Sequence, residues 1–544
     1  MIARSSFLFT FGTLISRITG LIRDMIILAV FGAGSLLDAF FVAFMIPNLF
    51  REMLAEGALG SSFTKVFSFL WEKDQEEAKK LFVDSLYFLT LASVLLCILG
   101  VIGAPYLVYI NTFFVSKSAS GDFFLQTTTG LTRLLFPYLL LSILSAIAMG
   151  ALNQRGRFFL SAIAPVAGNV GFIVGALVLS NLFASSGFLW IEHLFAEPRI
   201  TGLAVGVLLG GLLQIFIELW GLWKPILKKG LYLPTRIPWS PHLKEILFLM
   251  FPMAIAASAG QINIIVNTNF ATSLEPGSVT WLRSSFRLLQ LPIGLFGVAI
   301  ASVVLPTLAK SMYAAGKKVD AKVSSELQGA IELVLWLMIP SLVFLACNAT
   351  PIIRILYEHG QFQLHDTEQT AKALFAYSFG LIGYGLIKVL LPFYYAVERT
   401  KYAMRVSLAI ILINFFGNYI LVKMANLGHQ GLAFTSSISL TFNAFCLILG
   451  LRHESLVFEW KSISRSILFL LLGTLFAFGT HQLFNLSLVE MFPKSWTLKQ
   501  QSITSVLLEG ITIFILFAGF GLMRLQLSPV KALRLLTKRE KKTP

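Results

Sequence analysis

Apolar residues in this chain come in long runs separated by short polar breaks. A helix needs roughly 20 predominantly apolar residues to cross the hydrocarbon core of a bilayer. Read against that length, the pattern predicts about fourteen membrane-spanning helices. They lie near 5–31, 36–68, 81–109, 127–152, 158–182, 200–223, 243–271, 278–312, 325–348, 368–396, 402–424, 429–451, 463–485 and 501–524. The first, second, eighth and tenth are the least purely apolar. The fold class that follows is an all-α integral membrane protein.

The runs repeat. Gly34-Ser35 precedes the second span as Gly277-Ser278 precedes the eighth, and Gln154-Arg155-Gly156-Arg157-Phe158 is echoed by Glu398-Arg399-Thr400-Lys401-Tyr402, both at an interval of about 243 residues. Gly202-Leu203-Ala204 and Gly431-Leu432-Ala433 match at a shorter interval, and the extra segment 185–199 accounts for the difference. Six spans per half make a parallel repeat, the arrangement in which a substrate sits between two lobes and access alternates. The expected organisation is an N-lobe over 1–224, a C-lobe over 225–452, two further helices over 453–525 and a basic tail over 526–544.

Composition agrees and narrows the class. Hydrophobic residues make up 56% and charged residues 13%, about half the roughly 25% charge of soluble domains. Cys97, Cys347 and Cys446 each sit in an apolar run, which excludes a secreted disulfide scaffold. The first apolar stretch is interrupted by Arg17, Arg23 and Asp24, unlike a cleaved signal peptide. The basic residues are dispersed, so no nucleic-acid partner is expected. The net charge of +16 mostly reports orientation. Of the 43 Lys and Arg, 28 fall in the termini and one alternate set of loops, against six in the opposite loops. The positive-inside rule therefore puts both termini in the cytoplasm.

Nine basic residues remain inside spans, and these carry the chemistry. A buried Arg at a helix centre costs about 2.5–3.5 kcal/mol on insertion scales, so it faces a cavity or a partner. Arg17 lies too deep in span one to snorkel, and it shares a helical face with Asp24, seven residues on. Arg23 points elsewhere unless the helix loosens at Gly20. Span two carries Asp38, Arg51, Glu52 and Glu56, the three acids falling on one face of a regular helix. Span eight carries Arg283 and Arg287, an i,i+4 pair of like charge with Gln290 on the same stripe. Arginine forks suit phosphate, so these positions point to an anionic cargo bound by Arg17, Arg23, Arg51, Arg283 and Arg287. Asp24, Asp38, Glu52 and Glu56 are the candidate gating and ion-pair acids. The competing account is structural: Arg23–Asp24 and Arg51–Glu52 pairs that only hold helices together.

The stretch SRITGLIRDMIILAVFGAGSLLDAFFVAFMIPNLFREMLAEGALGSSF resembles the N-terminal signature of the MurJ (MviN) family. The similarity continues through GSVTWLRSSFRLLQLPIGLFGVAIASVVLP and ALFAYSFGLIGYGLIKVLLPFYYA, and so covers essentially the whole chain. The resemblance implies a lipid II flippase of the multidrug/oligosaccharidyl-lipid/polysaccharide exporter superfamily, in the inner membrane of a bacterium. By position, the family's cavity arginines fall on Arg17, Arg23, Arg51 and Arg287, its acids on Asp24, Asp38 and Glu56, and its lipid-tail groove on spans thirteen and fourteen. Its partners would be lipid II, membrane lipids and the cell-wall synthesis machinery.

Two positions depart from the family pattern. Phe286 stands where many relatives carry an acid before the span-eight arginine. Span seven offers only Gln261, Asn263, Asn267 and Asn269 where some relatives carry a carboxylate of a sodium site. No cofactor is expected, and sodium binding is not supported. Two other functions stay in view. A cation or drug antiporter of the same superfamily would favour an acidic or neutral cavity. A membrane enzyme acting on polyprenyl diphosphates would need paired acids at metal-ligand spacing, which the chain lacks.

Overall fold

The computed structural model describes residues 2–115, 118–185, 197–223, 237–297, 321–397, 399–453, 456, 459–491 and 497–524. Among these, every regular element is helical. The chain divides into two compact units, Met1–Thr280 with His359–Gln363, and Trp281–Glu358 with Leu364–Pro544.

The first unit holds α1 (Ile2–Phe31), α2 (Ser35–Arg51), α3 (Gly60–Lys73), α4 (Gln75–Asn111), α5 (Ala119–Leu135), α6 (Pro137–Gln154), α7 (Phe158–Ile163), α8 (Pro165–Val174), α9 (Ser180–Ser185), α10 (Pro198–Leu222) and α11 (Pro241–Ala271). Helix starts follow local chemistry. Asp74 caps α4 by accepting from the Glu76 and Glu77 amides at 2.9 and 3.1 Å, and Glu197 caps α10 by accepting from Ile200 N–H at 3.0 Å, with Pro198 in the first turn. The second unit holds most of α12 (Ser278–Pro292), then α13 (Ala321–Cys347), α14 (Ala349–Leu356), α15 (Leu364–Ser378), α16 (Gly380–Ala396), α17 (Thr400–Asn418), α18 (Gly428–Gly450), α19 (Trp460–Met491) and α20 (Leu498–Arg524).

Nine of the described helical spans are long and apolar enough to cross a membrane, or ten if α15 and α16, bent by 45°, count as one. The remaining spans of the fourteen-span reading correspond to α1, the α2–α3 stretch, α11 and the segment opening with α12. Each carries charged or amide side chains in its interior, which lowers its hydropathy. Residues 186–196, most of the extra segment 185–199, lie outside the described residues, as do the 298–312 end of span eight and the basic tail.

Helix irregularities recur at the repeat interval. A π-helical turn at Glu52–Leu59 follows α2 and its internal Pro47, and another at Ile293–Gly297 follows α12 and Pro292. Of a second pair, Gly175–Leu179 interrupts the helix that begins at Phe158 and Tyr419–Met424 ends the helix that begins at Thr400. Proline removes a ladder hydrogen bond, and a π turn absorbs the extra residue.

Compactness groups α11 with the first unit, whereas the repeat counts it as the opening span of the second half. The reason is local bonding. Asn269 on α11 accepts from Phe113 N–H at 2.7 Å and donates to the Ile110 carbonyl at 2.7 Å. Loop His359–Gln363 joins the same unit, its Gln361 N–H donating to Ala29 O at 2.8 Å.

A close helix crossing lies between α8, with the π turn that follows it, and α10. Gly171 and Gly175 face Gly202, Gly206 and Gly210, glycines spaced four apart on both helices. A Cβ built on Gly206 would fall 2.6 Å from the Gly171 carbonyl oxygen and closer still to the Gly175 Cα. Glycine at this spacing lets two backbones touch, the main source of helix association where apolar burial gives no net drive.

Candidate functional site

α1 is one continuous α-helix through Gly20, which is buried, so the expected loosening there does not occur. Arg17 and Asp24 do share a face, but two turns separate them and Asp24 is taken by its neighbour. Arg23 folds back along the helix, its Nε and Nη2 donating to Asp24 Oδ1 at 2.9 and 2.6 Å. Its Nη1 donates to Asn169 Oδ1 on α8 at 3.0 Å, and the guanidinium lies 4.8 Å from the Phe172 ring centroid. Asn169 is itself anchored, donating to Ser16 O at 3.1 Å and Thr19 Oγ1 at 3.0 Å. Arg17 is exposed and has no acidic partner among the described residues.

On α2, Arg51 Nε donates to Asn48 Oδ1 at 2.8 Å and its Nη2 lies 3.9 Å from Glu52 Oε1. Glu52 also accepts from Asn48 Nδ2 at 2.8 Å and from Gln261 Nε2 of α11 at 3.1 Å. Both ion pairs of the structural account are therefore formed. The single face expected for Asp38, Glu52 and Glu56 is not. The π turn starting at Glu52 changes the helical period, and Asp38 and Glu52 bond different partners. Glu56 lies in that turn, its side chain outside the described residues.

Asp38 meets no arginine in these contacts. Only 4% exposed, it accepts from Gly277 N–H at 2.7 Å, Thr280 N–H at 2.8 Å and Thr280 Oγ1 at 2.6 Å. It caps the start of α12 from another helix, placing a carboxylate where free N–H groups and the helix dipole favour one. Gly277, at φ 101°, supplies the turn that aims those amides at it.

In the second unit Arg283 is exposed and Arg287 half-buried on α12, with Phe286 packed against Tyr377 at 5.4 Å between centroids. One turn beyond Arg287 an apolar cavity of about 810 Å³ opens, lined by Leu288 and Leu291 of α12 and by faces of α13, α14 and α20. The expected lipid-tail helices α19 and α20 pack on α13 through Val343, Leu470, Ala477, Ile513 and Phe517.

A profile of the family described as "Lipid II flippase MurJ" matches residues 27–506. The chain is 34% identical over 449 residues to "Lipid II flippase MurJ" of Burkholderia cenocepacia, covering 82% of both chains. The chain belongs to the MurJ family. "Probable lipid II flippase MurJ" of Vibrio cholerae is 33% identical over 458 residues, covering 81% of each. Among solved structures, "Lipid II flippase MurJ, inward closed conformation" superposes with a TM-score of 0.74 at 27% identity, over 95% of this chain and 99% of that one. An inward-facing multidrug resistance MATE transporter of the MOP superfamily matches at 0.63 and 17% identity, over 80% and 94%, a likeness of fold alone. Family membership accords with a multi-pass membrane protein whose relatives are transporters.

Sequence reasoning missed Asn48 and Asn169, which steer the arginines, and three buried acids, Glu218, Glu332 and Glu509. The signal was present. Each is a strongly polar residue inside an apolar run, and the argument applied to the arginines applies equally to them.

Proposed function

We propose that this chain is a lipid II flippase, moving the diphosphate-linked peptidoglycan precursor from the inner to the outer leaflet of the cytoplasmic membrane by alternating access. Family membership supports this reading, and the observation that carries its chemistry is Arg17, exposed on a continuous helix of a membrane protein with no acidic partner among the described residues. An apolar environment tolerates such a charge when an anion arrives to neutralise it. Arg23 and Arg51 would complete the diphosphate site of the first unit, and Arg283 and Arg287 of α12 are further candidates for binding the anion. Asp24 and Glu52 then hold Arg23 and Arg51 in place between substrates, which makes the observed ion pairs part of the cycle.

The recurring helix breaks support two lobes over 1–224 and 225–452, with α19 and α20 outside the repeat, and the loop charges support cytoplasmic termini. The cavity beside Arg287 suits the hydrocarbon tail of the same lipid, because Leu288 and Leu291 bring its wall to the helix that carries the arginine. We infer operation without sodium, because the interior of span seven offers only the amides Gln261, Asn263, Asn267 and Asn269 and no carboxylate.

The test is depletion in the native bacterium, with lipid II measured at the outer leaflet by an externally added probe that cannot cross the membrane. The expected result is a fall in outer-leaflet lipid II while total lipid II rises. Unchanged exposure with altered drug efflux would favour the antiporter reading instead.

A further inference from the structure

Two buried acids flank the apolar cavity, one at each end. At one end Glu332 of α13, 6% exposed, pairs with Arg524 of α20. It also accepts from Gln328 Nε2 at 2.9 Å and from Ser462 and Ser466 of α19, each at 3.0 Å. At the other end Glu509 of α20, 2% exposed, accepts from His481 Nδ1 of α19 at 2.8 Å and from Asn348 Nδ2, just past α13, at 3.0 Å. The tautomer with hydrogen on Nδ1 makes His481 the donor. Both clamps join α19 to α20, the first tying them to α13 through Glu332 and the second to Asn348 at the junction of α13 and α14.

Between the clamps both helices face the cavity, α13 through Trp336 and Phe344, α20 through Ile513 and Phe517. From residue 332 to 348, and from 509 to 524, the separation is about 22–24 Å at 1.5 Å per residue. That is most of the roughly 30 Å hydrocarbon thickness of a bilayer. A buried acid is expensive to place in such surroundings, so the partners converging on each, four on Glu332 and three on Glu509 with Ser505 at 3.3 Å, mark a position where the helices must not slide.

We propose that Glu332 with Arg524, and Glu509 with His481 and Asn348, are positioning residues. They fix α19 and α20 at both ends, hold the apolar wall open over that length, and so set the preference for a long hydrocarbon chain. The proposal rests on the tail cavity of the preceding reading, with the lipid's own chain as occupant. Arg287 one turn away provides the neighbouring site for the diphosphate.

Purified protein is titrated with undecaprenyl diphosphate and with farnesyl diphosphate, which share a head group and differ in chain length. The parent is expected to bind the long chain more tightly. Replacing both partners of a clamp, Glu332→Leu with Arg524→Leu, or Glu509→Leu with His481→Leu, removes the polar tie without leaving an unpaired buried charge. Each pair should weaken binding of the long chain about tenfold, what losing contact with about two CH2 groups amounts to. Binding of farnesyl diphosphate should stay within twofold. The single variant Glu509→Gln keeps an acceptor for Asn348 and should retain most of the preference.

Equal loss for both ligands, or no loss for either, would overturn the clamps' role. A parent that binds both lipids alike would overturn the tail-cavity reading itself, and the proposal with it.

Discussion

Arg23→Ala is expected to remain in the membrane at parental levels yet fail to sustain growth when it is the only copy in a flippase-depleted bacterium. The guanidinium has five N–H groups, and three are engaged, two by Asp24 and one by Asn169. Two remain for an incoming phosphate, more when Asp24 lets go. Hydrogen bonds to charged groups contribute about 1.5–3 kcal/mol each, so losing two lowers affinity for the diphosphate roughly a hundredfold or more. Insertion should survive, because removing a partly exposed cation from a membrane helix relieves a cost. Arg23→Lys should rescue poorly: an ammonium cannot reach Asp24, Asn169 and a phosphate from one rigid plane, nor lie over the Phe172 face as a guanidinium does. Membrane levels by immunoblot and growth on depletion are the two readouts. Full growth of Arg23→Ala would count against the phosphate site.

Gly206→Leu is expected to do the opposite, removing the protein rather than its activity. The Leu Cβ would overlap the Gly175 Cα and press on the Gly171 carbonyl, backbone atoms that cannot rotate away. Overpacking among side chains already costs about 1–3 kcal/mol, and here two helices must separate along their whole contact. Because total stabilities are about 5–15 kcal/mol, the variant should be degraded. Gly206→Ala should be intermediate. Membrane abundance and the elution profile of the detergent-solubilised protein check both; a stable, monodisperse Gly206→Leu would show that the crossing is not needed.

These residues show what could be read from the chain. Hydropathy gave the class, and it marked the candidate charged positions, because a charge inside an apolar run is conspicuous in any single sequence. The repeat was read from Gly34-Ser35 and Gly277-Ser278, which precede the two helices that break into π turns. The partners were less visible. That Arg23 is shared between Asp24 and Asn169 depends on α8 packing against α1, a contact 146 residues apart in sequence. Asp38 read as a gating acid, and its capping of α12 could not be found without knowing which helix start lies beside it. The π turn at Glu52 also defeated the helical-wheel argument, which assumes an unbroken period.

The central claim is that arginines of the first unit bind a lipid-linked diphosphate. Its most direct test is a titration of purified protein with undecaprenyl diphosphate and with undecaprenol, comparing the parent with the Arg17→Ala, Arg23→Ala and Arg51→Ala triple variant. The account predicts that the parent prefers the diphosphate strongly, that the preference weakens with added salt, and that the variant binds the two lipids alike. A variant that still prefers the diphosphate as strongly as the parent would contradict it.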